Sequence, residues 1–120
     1  MREFWSGEIA HVEDQHIYRQ VPAHGVRLVA LRELAPIAYL GSDLHLSQGI
    51  ELKEWHLDDS RLEFRLDLER YVEGNCYLRL PSIPIQVLQN DLPSEWKSVD
   101  GSIIQIPVSL RPDCLVQIEF

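Results

Sequence analysis

Residues 61–69, with the sequence RLEFRLDLE, decide the fold. Leu62, Phe64, Leu66 and Leu68 alternate there with charged residues. In a β-strand this alternation places the apolar side chains on one face and the charged side chains on the other, whereas in an α-helix the same residues would be scattered around the axis. The stretch therefore predicts a strand with one buried face.

Three further stretches show the same period of two. Their predicted apolar faces are Cys76, Leu78 and Leu80; Ile104, Ile106, Val108 and Leu110; and Cys114, Val116, Ile118 and Phe120. Turn-forming residues separate the stretches at 58–60, 73–75, 100–101 and 111–113. Strands at intervals of about 8–12 residues with such turns predict an all-β fold, an antiparallel β-sandwich of about 8–10 short strands without long helices.

Three further expectations concern less regular parts of the chain. We expect short strands at residues 8–12 and 16–21, and a strongly apolar strand at 26–32 that is buried on both faces. Pro107 lies within a strand pattern but has no N–H to donate, so its strand is expected at a sheet edge or a bulge. If the strand at residues 50–57 is regular, Trp55 lies on the face opposite Leu52.

Composition limits the class of protein and of partner. The chain has 120 residues, 45% of them hydrophobic and 25% charged, which indicates a single globular domain spanning residues 1–120. The net charge of −8 argues against nucleic acid or an anionic membrane as a partner, because both attract basic surfaces. The N-terminal residues do not resemble a signal peptide, which slightly favours a cytoplasmic location.

No catalytic residue, metal site or cofactor is predicted. The chain contains none of the common nucleotide, nucleophile or zinc motifs, and we expect its acidic residues to form a solvated face. Asp43 and His45, two positions apart, are compatible with a metal or with a hydrogen-bonded pair, but one such pair does not make a site. Cys76 and Cys114 lie in no metal-binding spacing and are expected to be reduced and buried.

The tryptophans suggest carbohydrate binding as one use of the surface. An exposed Trp can stack on a sugar ring while polar neighbours bond its hydroxyl groups. Trp55 is the first candidate and Trp96 the second, with Asp43 and His45 as polar candidates. The alternative is that both tryptophans are buried in the core or anchor a neighbouring domain, since Trp buries a large apolar area.

Three stretches together resemble a known family. They are FWSGE at residues 4–8, VPAHGVRLVAL at 21–31 and LGSDLHLSQG at 40–49. They are similar to the C-terminal region of α-galactosidase (melibiase) and related α-glycosidases, in which a β-sandwich follows a catalytic (β/α)8 barrel. The similarity covers residues 2–56 well and the remainder only as a pattern.

The resemblance implies that the chemistry lies elsewhere. In such enzymes two catalytic aspartates lie on the barrel, at the C-terminal ends of its strands, and no position here matches their motifs. The strand patterns also begin and end abruptly, as expected for the C-terminal fragment of a longer glycoside hydrolase. We therefore expect a non-catalytic accessory domain whose partner is the barrel of the same chain, with a carbohydrate-binding module as the alternative.

Overall fold

The computed structural model describes residues 1–120, which form eleven β-strands and no helix. Because the fold contains no helix, it also contains no candidate membrane-spanning helix. The strands, in chain order, are β1 (Arg2–Glu3), β2 (Val29–Ala30), β3 (Ala38–Ser42), β4 (Leu52–Leu57), β5 (Arg61–Asp67), β6 (Val72–Arg79), β7 (Gln86–Gln89), β8 (Leu92–Pro93), β9 (Lys97–Asp100), β10 (Ile103–Leu110) and β11 (Asp113–Glu119).

Nine of these strands make two antiparallel sheets. One sheet has the order β3-β6-β10-β9 and the other the order β4-β5-β11-β7-β8, while β1 and β2 pair only with each other. The predicted all-β sandwich is therefore confirmed. The count of eleven exceeds the expected range of about 8–10 because it includes three strands of only two residues, β1, β2 and β8.

The core lies between the two sheets and consists of the apolar faces predicted from the period of two. β5 supplies Leu62, Phe64 and Leu66, and each of them is fully buried. The matching faces of β6, β10 and β11 are buried as well: Cys76, Leu78, Ile104, Ile106, Val108, Leu110, Cys114, Val116 and Ile118. Both cysteines are free thiols, in agreement with the expectation that they are buried and reduced.

A β-bulge in β4 overturns the predicted orientation of Trp55. Leu52 pairs with Leu66, but Glu54 already pairs with Arg65, so Lys53 is the extra residue. Trp55 consequently pairs with Phe64 and packs against the core, on the same side as Leu52. The prediction of opposite faces was wrong because it assumed a regular strand.

Pro107 lies in β10 beyond the end of β9. The β9 strand pairs with β10 only as far as Gln105, so one side of β10 is open at Pro107, in line with the expected edge position. Gln89 of the other sheet satisfies the backbone there. Its Nε2 donates to the Pro107 carbonyl at 3.0 Å, and its Oε1 accepts from the Ser109 N–H at 2.9 Å.

The turn predicted at residues 73–75 is wrong, because those residues lie inside β6. The chain reverses earlier, at Glu69, which has a positive φ of 57°. Gly74 has a different role from the expected turn residue. A Cβ at that position would collide with the carboxylate of Asp43, so the glycine allows the Asp43 side chain to pack against the strand.

Residues 1–36, here called the N-terminal segment, contain little regular structure. The strands expected at 8–12 and 16–21 are reduced to isolated bridges, and only Val29–Ala30 of the stretch 26–32 is a strand. Val26 and Leu31 are 66% and 58% exposed, so the prediction of a strand buried on both faces was wrong. The stretch pairs only with the two residues of β1 and does not join a larger sheet, so no second layer covers Val26 and Leu31.

The N-terminal segment lies against the outer face of the four-stranded sheet. Leu40 of β3 is buried yet does not belong to the core cluster. It instead lines a cavity of about 180 Å³ together with Met1, Ile9 and Leu34 of the segment. The segment is therefore a partial third layer, packed on the side of this sheet that faces away from the sandwich core.

Candidate functional site

Arg2 ties the N-terminal segment to the sandwich. Its side chain is buried, and Nη1 donates to the Ser42 carbonyl at 3.0 Å and to Gln48 Oε1 at 2.7 Å. Gln48 Nε2 donates in return to the Arg2 carbonyl at 3.2 Å, and the guanidinium carbon lies 4.3 Å from the centre of the Tyr77 ring. Arg2 thus joins β1, β3, β6 and the loop at residues 43–51.

Glu3, the next residue, points the other way and organises the segment itself. Its carboxylate accepts from the backbone N–H groups of Ser6 at 2.6 Å, Trp5 at 3.3 Å and Leu28 at 3.4 Å. Hydrogen bonds from the side chain and backbone of Ser6, followed by those from Trp5 and Leu28, lower the pKa of Glu3 to about 2. Glu3 therefore remains ionised and holds the turn at residues 4–6 against β2.

A second group of buried polar side chains closes the loop at residues 43–51. The Tyr39 hydroxyl and Ser42 Oγ both donate to Glu51 Oε1, at 2.7 and 2.6 Å. Burial above all holds the pKa of Tyr39 above its usual range, so the phenol keeps the proton that it donates. Glu51, at the C-terminal end of the loop, is thus fixed to β3. Gln48 of the same loop is fixed to Arg2.

Gly41 has to be glycine for this arrangement to form. Its φ is +145°, a conformation that other residues rarely adopt, and a Cβ there would lie 2.8 Å from Gln48 Oε1. Such a contact would displace the amide that receives the Arg2 hydrogen bond. Gly41 and Gln48 of the stretch LGSDLHLSQG consequently have local structural reasons for their identities.

Asp43 and His45 do not form a site together. The Asp43 carboxylate accepts from the Asn75 N–H at 2.7 Å and from Asn75 Nδ2 at 3.2 Å. His45 Nδ1 lies 2.9 Å from Ser47 Oγ, and Ser47 Oγ accepts from the Ile50 N–H at 3.0 Å. These bonds shape the loop, and nowhere in the chain do three or more His, Cys, Asp or Glu side chains gather as metal ligands would.

A groove of about 470 Å³ opens on one side of the sandwich, between the edge strands β3 and β4. Its volume falls within the range of about 300–1,000 Å³ that is usual for small-molecule sites. Most of the residues around it are apolar, and two exposed charged residues complete it. The lining residues are Arg32, Glu33, Ala35, Ile37, Ala38, Tyr39, Gly49, Leu52 and Trp55.

Trp55 is the one predicted carbohydrate-binding candidate in this groove. Its ring packs against Phe64 with 5.7 Å between centroids and a 31° angle between planes, and the side chain is only partly buried. Trp96 lies between β8 and β9, where it packs against the core cluster. The four candidates are therefore distributed over three places: the groove, the β8–β9 connection, and the loop that contains Asp43 and His45.

Sequence patterns missed the charged residues that matter for this side of the molecule. Arg2 and Glu3 are buried, yet charged residues in a short N-terminal strand carry no periodic signal of burial. Arg32 and Glu33 line the groove, although the sequence placed them only at the end of an apolar stretch. The one sequence signal near these residues was the resembling stretch at residues 40–49, because it contains Gln48, the hydrogen-bond partner of Arg2.

The outer face of the five-stranded sheet agrees with the expected solvated acidic face. Arg65 lies there within 3.4 Å of Glu54, 3.1 Å of Asp67 and 3.6 Å of Asp113. These are surface ion pairs, which contribute little to stability individually. Three carboxylates thus surround one basic side chain.

Comparison with known proteins adds no relative. No protein-family model matches the chain, and the searches of curated proteins and of solved structures found no similar protein. The expected relationship to α-galactosidases consequently rests on the three sequence stretches described above and stays a prediction.

Proposed function

We propose that this chain is a non-catalytic accessory domain of an α-galactosidase-like glycoside hydrolase. In this role it packs against the catalytic (β/α)8 barrel of the same polypeptide and stabilises it. The observation that carries the proposal is that large apolar side chains of the N-terminal segment are exposed. Tyr18 is 79% exposed and Leu34 71%, and Trp5, Val21 and Val26 are exposed as well.

A neighbouring domain would explain this surface. Exposed apolar side chains also occur at Ile83, Ile85 and Leu92, but those of the N-terminal segment belong to a part of the chain that contributes nothing to the core cluster. The segment is held in place by Arg2 and Glu3, whose bonds fix its path while leaving its apolar side chains outward. A fixed segment with an apolar surface suits an interface between domains.

The sequence resemblance supports the same conclusion from another direction. Most of the residues that carry it lie in the N-terminal segment and in the loop at residues 43–51. In the structure these two regions meet at the Arg2–Gln48 contact. One resembling stretch thus contributes Gln48 to the contact that fixes the N-terminal segment, which favours an architectural role for this region.

The proposal predicts the effect of charge on that surface. Val26→Glu with Leu34→Glu should change the free energy of unfolding of this chain by less than about 0.5 kcal/mol, because both side chains are exposed. In the polypeptide that also contains the barrel, the same pair should lower the Tm of the α-galactosidase activity. Leu92→Glu, on the exposed strand β8 and outside the N-terminal segment, is the matched control and should not lower it.

Two results would overturn the proposal. One is an unchanged Tm of the two-domain protein carrying Val26→Glu and Leu34→Glu. The other is hydrolysis of a chromogenic α-galactoside by this chain alone, at a rate above that of buffer.

Carbohydrate binding is a second candidate function, favoured by the groove beside Trp55. An indole ring that packs on one side against the core and lines an open groove is suited to stack on a sugar. The residues that this function would use differ from the set predicted from sequence, because Trp96, Asp43 and His45 lie outside the groove.

A further inference from the structure

The groove between β3 and β4 has a floor of aromatic and aliphatic side chains. Trp55 and Tyr39 approach the same ring, Phe64, with centroid distances of 5.7 and 6.0 Å. The Tyr39 hydroxyl is already engaged with Glu51, so its ring contributes an apolar surface. Because this aromatic group is anchored in the core, the part of Trp55 that lines the groove is held in a fixed orientation.

Two charged side chains that line both the groove and the neighbouring cavity beside Leu40 retain hydrogen-bonding capacity. Arg32 donates to the carbonyls of Leu31 and Gln48, which uses two of the five N–H donors of a guanidinium. Glu33 forms no ion pair and no side-chain hydrogen bond, so its carboxylate oxygens are free to accept. One residue supplies only donors and the other only acceptors, and both are exposed.

This combination selects among ligand classes. A flat apolar ligand would form no hydrogen bond with either charged group, whereas a sugar hydroxyl both donates and accepts. An anionic ligand is disfavoured because Glu33 offsets the charge of Arg32 and the whole chain carries −8. A neutral pyranose offers an apolar C–H face for Trp55 and neighbouring hydroxyls for Arg32 and Glu33.

We infer that the groove between β3 and β4 binds a neutral pyranose, stacked on Trp55 and hydrogen-bonded to Arg32 and Glu33. This inference rests on the second function above and not on packing against a barrel. The two proposals therefore fail separately, since sugar binding is measured on this chain alone and barrel packing on the two-domain protein.

The test is titration of the isotope-labelled chain with methyl α-galactopyranoside and melibiose, observed by NMR. The Trp55 indole N–H and the Gly49 amide should shift saturably, with a dissociation constant of about 1–10 mM, as expected for a small ligand in an open groove. Sorbitol, which has hydroxyls but no ring face, should cause no saturable shift. Galacturonate should bind more weakly than the neutral sugars.

Matched variants locate the site. Trp55→Ala should weaken binding at least about tenfold, since stacking of the C–H face of the sugar on the indole ring is lost. Trp96→Phe, which alters a tryptophan packed on the core elsewhere, should change it less than about twofold. Because Trp55→Ala also removes a core contact, Glu33→Ala provides a second variant at an exposed position, and it should weaken binding about tenfold.

Several results would overturn the inference. They are the lack of a saturable shift at Trp55 with either glycoside up to tens of millimolar, an equal shift with sorbitol, and unchanged binding by Glu33→Ala. Binding lost in Glu33→Ala but kept in Trp96→Phe would support it, because Glu33 makes no contact on which the fold depends.

Discussion

The core cluster of the sandwich contains 16 buried side chains, and none of them comes from the N-terminal segment. The segment is attached instead through Arg2, which bonds to Ser42 and Gln48, and is shaped by Glu3. Hydrophobic burial is non-directional and spread over many contacts, whereas a polar network depends on a few atoms at defined distances. Two regions of the molecule thus differ in the kind of force that holds them.

This difference has a consequence for how the molecule opens. Proteins unfold locally where few buried apolar contacts oppose it, and the N-terminal segment has this character. The sandwich, by contrast, should lose its strands together, because β5, β6, β10 and β11 all contribute to one core. We therefore expect the segment to open without the sandwich, through loss of the Arg2 contacts.

The largest effect is expected at the centre of the core. Phe64→Ala should lower the free energy of unfolding by about 3–5 kcal/mol, because the ring is fully buried and contacts Tyr39 and Trp55. Chemical denaturation followed by circular dichroism measures it. Glu63→Ala, one residue away on the outer face of β5, is the control and should cost less than about 0.5 kcal/mol. Equal costs for the two variants would contradict the register of β5.

A smaller and more local effect is expected at the attachment point. Arg2→Ala should lower the free energy of opening of the N-terminal segment by about 1.5–3 kcal/mol, the usual worth of hydrogen bonds to a charged group. Hydrogen exchange measures it at the Phe4 and Gly7 amides, which donate to Leu28 and Glu3 carbonyls. Amides in β5, β10 and β11 should keep their protection.

Arg19→Ala is the control for the attachment. Arg19 forms an exposed ion pair with Glu8 at 2.7 Å inside the segment, so its loss should cost less than about 1 kcal/mol. If Arg2→Ala reduced protection in β10 as much as at Phe4, the two regions would be a single cooperative unit and the contrast between them would be wrong.

The same contrast explains what the sequence could and could not predict. Strands β5, β10 and β11 were predictable because alternating burial imposes a period of two on the residues themselves. Trp55 was placed on the wrong face, since one extra residue, Lys53, reverses the alternation without leaving a mark in the pattern. Gly74 was interpreted as a turn residue for a similar reason, because the Asp43 side chain that requires it is distant in sequence.

The candidate site was less predictable than the fold. A groove forms where β3 and β4, adjacent edges of different sheets, approach each other, and which edges meet depends on the order of all the strands. Trp55 was identified as a candidate from its residue type. Arg32 and Glu33 could not be, because their position beside Trp55 follows from the path of the N-terminal segment, which has no periodicity to predict it.

Acid should weaken the segment before the sandwich. The pKa of Glu3 is lowered to about 2, above all by its hydrogen bonds with Ser6. The ionised carboxylate therefore contributes stability that is fully present above the ordinary pKa of 4.5. This contribution is lost as the pH falls towards 2. Protection factors at the Ser6 and Leu28 amides should therefore decline over that range. Glu3→Gln should start lower at neutral pH and remove most of the decline, and a decline unchanged in Glu3→Gln would assign it to another group.

The smallest expected effect is that of Arg2→Ala on the two core thiols, which report opening of the sandwich alone. Burial above all raises the pKa of Cys114 to about 12, and burial also raises that of Cys76, so neither reacts as a thiolate in the closed state. Arg2→Ala should change the rate of modification by a thiol reagent less than about twofold, because the segment covers neither cysteine. Phe64→Ala should accelerate it by about a hundredfold, through its loss of about 3 kcal/mol or more of stability. Comparable acceleration in both variants would mean that release of Arg2 opens the core, and that the sandwich depends on the segment it carries.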